Sequence, residues 1–358
     1  MKTKTGDKGT DLVLILTNHF GEKINLARIK LISHFVSALC KVQSVTFEKL
    51  ANAFDTSVKP ESSLRRIQRF IADYVLDADI IARLIFNLLP NKENVMLAID
   101  RTNWKFGQTD INIFMLGIVY QGVAFPLLFK MLPKRGNSNS DERIALVQRF
   151  INLFGRACIE ALMADREFVG EKWLNYLKKH EIRYYIRVRS NFKVVIPHKN
   201  KQIKASLLFA QLETNQFYYY PKIVKINNAD CYISGCKLQD DFLIIASLDK
   251  PEQSFEYYKQ RWQIEMCFKA LKSSGFNIEN THLQDIERIE RLLLLIMIAF
   301  VWCYKVGIFL HQNKPIKIKK HGRKAKSIFK YGLDFIANVL LNSECQTVIN
   351  IYHFLSCT

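Results

Sequence analysis

The chain has 358 residues, 49% hydrophobic and 12% aromatic, a composition that excludes a disordered protein and leaves core enough for two or three domains. Its 52 Lys and Arg against 33 Asp and Glu leave a net charge of +19, which points to a polyanionic partner, nucleic acid before a membrane surface. The polar opening MKTKTGDKGTDL is no secretory signal, and eight cysteines fall without a repeating spacing, so reduced thiols in a cytosol are expected. Cys231 and Cys236 are the one close pair and lack the second pair that a closed zinc site needs.

In chain order, residues 1–23 carry little regular pattern and read as a loose start. Apolar residues at helical spacing predict helices over 24–42, 46–54, 61–74 and 78–89, with Thr46 as an N-cap of the second. Arg65, Arg66 and Arg69 lie on the third, which fits either the reading helix of a helix-turn-helix or an ordinary bundle with surface arginines. After Pro90 the pattern changes. The run 95–99 (VMLAI) reads as a strand buried on both faces and ends on Asp100. Strands over 111–120 and 123–131 follow as a hairpin, then a helix over 141–154. A short strand, 161–164, ends on Asp165, and a helix over 170–180 leads to a strand over 184–189. That order predicts a mixed α/β sheet of the ribonuclease H-like kind, with an acid at the end of its first and fourth strands. Residues 190–250 break into short β-rich pieces and read as an insertion.

Residues 254–274 carry no Gly or Pro and predict one helix, stopped by Gly275. At 100° per residue, Tyr258, Arg261, Glu265 and Lys272 share an arc of roughly 60°. Tyr257, Ile264, Cys267, Phe268 and Leu271 form the adjoining core face. The plain alternative is a solvated polar face with an Arg261–Glu265 pair at i,i+4. Residues 292–304 (LLLLIMIAFVWCY) fall short of the ~20 that a membrane span needs and read as a buried helix. The stretch 311–330 holds Lys and Arg without an acid, as a solvated tail or a phosphate-binding segment.

Asp100, Asp165 and Glu265 are far apart in sequence, but neighbouring strands and a helix packed across the sheet edge would let them converge. Three carboxylates with no nearby His or Cys pair suit Mg²⁺ or Mn²⁺, and two such ions roughly 3.5–4 Å apart serve phosphodiester chemistry. The alternative for each Asp is a turn cap.

The spacing Tyr258-x2-Arg261-x3-Glu265-x6-Lys272 resembles the Tyr-Arg-Glu-Lys signature of the DDE transposases of bacterial insertion sequences, in the insertion-sequence-four family. The likeness extends to IDRTNW around Asp100 and MADREFVG around Asp165, and covers about residues 97–276. It implies a cut-and-paste transposase with a ribonuclease H-like catalytic sheet, a β-rich insertion and flanking helical DNA-binding regions. Asp100, Asp165 and Glu265 would hold two Mg²⁺ (or Mn²⁺) ions, and Tyr258, Arg261 and Lys272 would contact DNA phosphates. Nicking, closure of a hairpin on the transposon end, its opening and strand transfer would follow. The partners would be the terminal inverted repeats, target DNA and a second copy of the chain, in a bacterial cytoplasm and without a membrane. An aromatic of the insertion would hold a flipped base, with Tyr218, Tyr219, Tyr220 and Tyr232 as candidates.

The expected organisation is a helix-turn-helix-like DNA-binding domain over 1–90, a catalytic core over 91–189 and 251–310, the insertion over 190–250, and a basic helical region over 311–358. Among rival readings, a tyrosine recombinase using Tyr258 as nucleophile leaves Asp100 and Asp165 unexplained. A ribonuclease H-like nuclease without transposition lacks the Tyr-Arg-Glu-Lys spacing. A non-catalytic DNA-binding repressor, decayed or domesticated from a transposase, has no use for three intact acids.

Overall fold

The computed structural model describes residues 8–106, 109–132, 134, 136–272, 275–320, 322–342 and 349–356. The chain forms two compact units, one of residues 1–90, 103–111 and 268–358, the other of residues 91–102 and 112–267.

The second unit is built on a sheet. Leu97, Ala98 and Ile99 are fully buried, as an apolar run between two layers must be. Their strand, β1 (Val95–Phe106), continues past Asp100, so that acid stands within the strand and not at the expected end. β2 (Thr109–Tyr120) and β3 (Val123–Leu132) close a hairpin over Gln121 and Gly122, both at positive φ, the conformation that a tight two-residue turn requires. α6 (Ser140–Phe154) starts on a capping box between Asn139 and Glu142. β4 (Ile159–Ala164), α7 (Glu171–Lys179) and β5 (Tyr184–Val188) complete the alternation. The order β3-β2-β1-β4-β5, with β2 and β3 antiparallel and β4 parallel to both β1 and β5, is the ribonuclease H-like sheet that the sequence predicts.

The β-rich insertion prolongs this sheet. β10 (Phe242–Ser247) pairs antiparallel with β5, and β9 (Ala229–Lys237), β8 (Phe217–Ile226), β6 (Lys193–Ile196) and β7 (Lys201–Lys204) follow outward, ten strands in all. A Cβ at Gly235 would lie 2.4 Å from the Phe209 ring, so glycine there lets Phe209 lie flat on one face of β9.

The first unit is helical. Its N-terminal helices are α1 (Lys8–Phe20), α2 (Leu26–Val42), α3 (Phe47–Asn52), α4 (Pro60–Asp73) and α5 (Ala78–Asn87). α1 replaces the expected loose start, because Leu12, Leu16 and Phe20 recur every four residues and are buried. Thr46 sits at the N-cap of α3, but its hydroxyl makes no cap bond and meets Ser44 at 3.1 Å.

α10 (Ile286–Asn313) runs through this unit, with residues 292–303 buried, and α11 (Ile328–Leu341) lies against it. At 28 residues α10 could span a membrane by length and composition alone. Here 89% of its most apolar window is buried inside the protein. The two helices approach where a Cβ at Gly332 would stand 1.8 Å from the Cys303 carbonyl oxygen and one at Gly307 2.0 Å from that of Ile328. Buried Arg291 donates to the Ile71 and Ala72 carbonyls at 2.8 Å each, satisfying the C-terminal end of α4.

Candidate active site

Parallel register builds the site's first half. The β1–β4 pairing ends at Ile99↔Ala164, so Asp100 and Asp165 follow as neighbours on adjacent chains. The second half comes from α8 (Ser254–Lys259) and α9 (Trp262–Lys272), which replace the single expected helix over 254–274. Tight i→i−3 bonds from Gln260, Arg261, Gln263 and Ile264 break the helix at Gln260–Arg261. At that break Arg261 turns inward and is only 8% exposed. Ser273 and Ser274, the last residues of the expected helix, lie outside the described residues. The core face holds on α9, where Ile264, Cys267, Phe268 and Leu271 are buried. Tyr257 stacks on Tyr185 at 4.8 Å and donates to Glu160 at 2.9 Å, which anchors α8 to the sheet.

Arg261 joins the acids. One arm of its guanidinium donates to Asp100 Oδ2 at 3.1 Å and the other to Glu265 Oε1 at 2.6 Å. The Tyr258 hydroxyl donates to Asp165 Oδ1 at 3.2 Å, and its ring lies 5.7 Å from the Arg261 guanidinium carbon. Burial pushes the Asp100 carboxyl up to about 7; the Arg101 N–H and Arg261 oppose that rise, and Glu167 and Asp165 add to it. Burial likewise raises the Tyr258 hydroxyl to about 12. For Arg261, burial alone would lower the guanidinium, and Tyr258, Glu265 and Asp100 together hold it above its ordinary value. Its Nε is buried without a partner.

The donor chemistry fits a hard divalent cation: three carboxylates, oxygen only, one of them disfavoured as an anion unless a cation sits beside it. Arg261 stands between Asp100 and Glu265 and offsets only part of that burial cost. Among the described residues no three His, Cys, Asp or Glu side chains close on one point; Asp100, Asp165 and Glu265 are the carboxylates that would hold an ion.

Residues next to the acids hold their backbone in place. Arg101 donates from Nε to both carboxylate oxygens of Glu167, at 2.6 and 2.8 Å, clamping the segment after Asp100 to the one after Asp165. Arg143, buried, donates to the Ser138 hydroxyl at 3.0 Å and to the Glu167 carbonyl at 3.0 Å. Sequence reasoning passed over this clamp, whose one local sign is an Arg directly after each Asp.

Beside Tyr258 and Arg261 opens a groove of about 610 Å³, lined also by Phe217, Leu243, Phe255 and Trp262. Trp262 is 58% exposed and Phe217 61%, and Phe217 meets Phe255 edge-on at 4.6 Å. None of the four expected tyrosines lines it. Lys272 is part of the helical unit, where it pairs with Glu279 at 3.0 Å. Arg65 and Arg69 are exposed and Arg66 half-buried on α4 of that same unit.

A family model described as a transposase DDE domain matches residues 92–302. No curated protein matches the chain in sequence. Among solved structures, a piggyBac transposase synaptic complex with hairpin DNA, seen by cryo-electron microscopy, is similar with a TM-score of 0.47 and 11% identity over 98% of this chain and 81% of that one.

Proposed function

The chain belongs to the transposase DDE domain family, and from that premise we propose that it cuts and rejoins DNA at the ends of its own element by cation-assisted phosphoryl transfer. The observation that carries this reading is the convergence of Asp100, Asp165 and Glu265 on Arg261 and Tyr258. Asp100, Asp165 and Glu265 would hold two Mg²⁺ or Mn²⁺ ions, which when bound activate a water or 3′-hydroxyl and neutralise charge on the scissile phosphate. Arg261 offers a planar two-donor fork and Tyr258 a single hydroxyl to phosphate oxygens. Lys272 is assigned a further phosphate contact, as a point charge.

The break between α8 and α9 keeps Tyr258 and Arg261 at the mouth of the aromatic groove. Phe217, Phe255 and Trp262 suit a base turned out of the stack, as a hairpin on the transposon end would require. Arg65, Arg66 and Arg69 on α4 are assigned to the terminal repeat, with α3 and α4 as the helix-turn-helix. Two copies, each on one end, would complete the synaptic complex in a bacterial cytoplasm.

Strand cleavage of DNA carrying the element's own ends tests this, with Mg²⁺ or Mn²⁺ and the wild type against Glu265→Gln. Hairpin product from the wild type alone is expected, with DNA binding kept by the variant. Equal cleavage by both proteins would show the acids to be misassigned.

A further inference from the structure

The outer strands of the sheet carry a second surface, which leads away from the groove. Ser234 on β9 donates to the Pro251 carbonyl at 2.8 Å and meets Ser254 of α8 at 3.2 Å, which marks the α8 side of the sheet. Directly paired residues of antiparallel strands share a face. Tyr219 pairs with Ser234, Lys225 with Asp230, Val195 with Lys225, and Lys193 with Lys204. Alternation along each strand therefore sets Phe217, Tyr219, Lys225, Lys193 and Lys204 on the α8 side. The opposite side is closed where Val194, Ile196, Val224 and Ile226 are buried, and it leaves Tyr218 44% exposed nearer the groove. On the α8 side, by contrast, Tyr219 is 48% exposed and the three lysines are exposed. Asp230, opposite Lys225, is engaged by Lys178 at 3.2 Å.

We propose that this face, from Phe217 across Tyr219 to Lys225, Lys193 and Lys204, is a track for an unpaired DNA strand. Open aromatic rings offer π-faces that only unstacked bases can take, and the lysines follow the phosphates of the same strand. Phe217 also lines the groove beside Arg261, so the track begins at the candidate active site. The proposal rests on the transposase reading for the source of its ligand, because cleavage is what frees a strand.

The test is fluorescence anisotropy of the full-length protein in chelator, with labelled oligothymidylate of about 12 residues, against a blunt duplex of equal length. Tyr219→Ala should weaken oligothymidylate binding by about tenfold and Tyr219→Phe should preserve it, since stacking needs the ring and not the hydroxyl. Lys193→Gln with Lys204→Gln should make the log-affinity against log-salt slope shallower by about 1.4, ~0.7 for each phosphate contact. Duplex affinity should move less than twofold in all three proteins. Oligothymidylate binding indifferent to Tyr219, or an equal loss on the duplex, overturns the proposal. Intact end cleavage alongside that indifference would sink the track alone. Absent cleavage with Tyr219-dependent binding would uphold the track and sink the transposase reading.

Discussion

At the residue scale, Asp100 is the carboxyl of the candidate site that burial raises. Its carboxyl, 16% exposed, titrates near 7 in the folded protein against an ordinary 3.8, and burial is the main cause. The folded protein thus holds this proton more tightly than the unfolded chain does. Its contribution to stability is fully present below about pH 4 and is lost as pH rises through 7. Across that window the loss runs at ~1.4 kcal/mol for each step of one pH unit. In chelator, wild-type stability relative to Asp100→Asn should therefore fall steadily between pH 4 and 7 and level off above. Thermal unfolding of both proteins across that range checks it, and parallel curves would mean that Asp100 is not held protonated. A divalent cation, which needs the carboxylate ionised, should reverse the preference.

At the element scale, the contact of α10 with α11 depends on two missing side chains. A methyl at Gly332 would sit inside the Cys303 carbonyl, which is backbone and cannot rotate away, so the helices must part. Gly332→Ala should cost roughly 3 kcal/mol, read as a lower denaturation midpoint, with helix content kept in the folded state. A change under about 0.5 kcal/mol would mean that the helices separate freely. Such a contact is invisible in sequence, where Gly332 reads as a helix-weakening residue with no partner. What was legible had a local signal. Strand runs ending near Asp100 and Asp165 marked the ribonuclease H-like sheet, and the spacing from Tyr258 to Glu265 marked residues that do meet around Asp100 and Asp165. The break between α8 and α9 had no such signal: it coincides with the contact of Arg261 with Asp100, 161 residues away in sequence. Likewise, strand periodicity told that 190–250 was β-rich but not that β10 would pair with β5. Trp262 lies outside the insertion, and only the folded chain brings it to the groove beside Phe217.

At the scale of the whole molecule, both units are assembled from separated stretches, and the chain passes between them after residues 90, 102, 111 and 267. The N-terminal helices share a unit with α10 and α11. α2 packs on both of those helices, and the Arg291 guanidinium of α10 satisfies the end of α4. A DNA-reading segment over 1–90 therefore shares its compact unit with residues 268–358. Cut off after Pro90, helices α1 to α5 would lose the packing of α2 on α10 and α11, including the 3.7 Å contact of Cys40 with Cys303, and helices this short are marginal in water by themselves. Residues 1–90 expressed alone should show weak helical circular dichroism and no cooperative melt. Adding residues 268–358 in trans should raise both, because it supplies α10 and α11. A cooperative melt of 1–90 by itself would make the N-terminal helices an independent domain and leave α10 a scaffold for other elements.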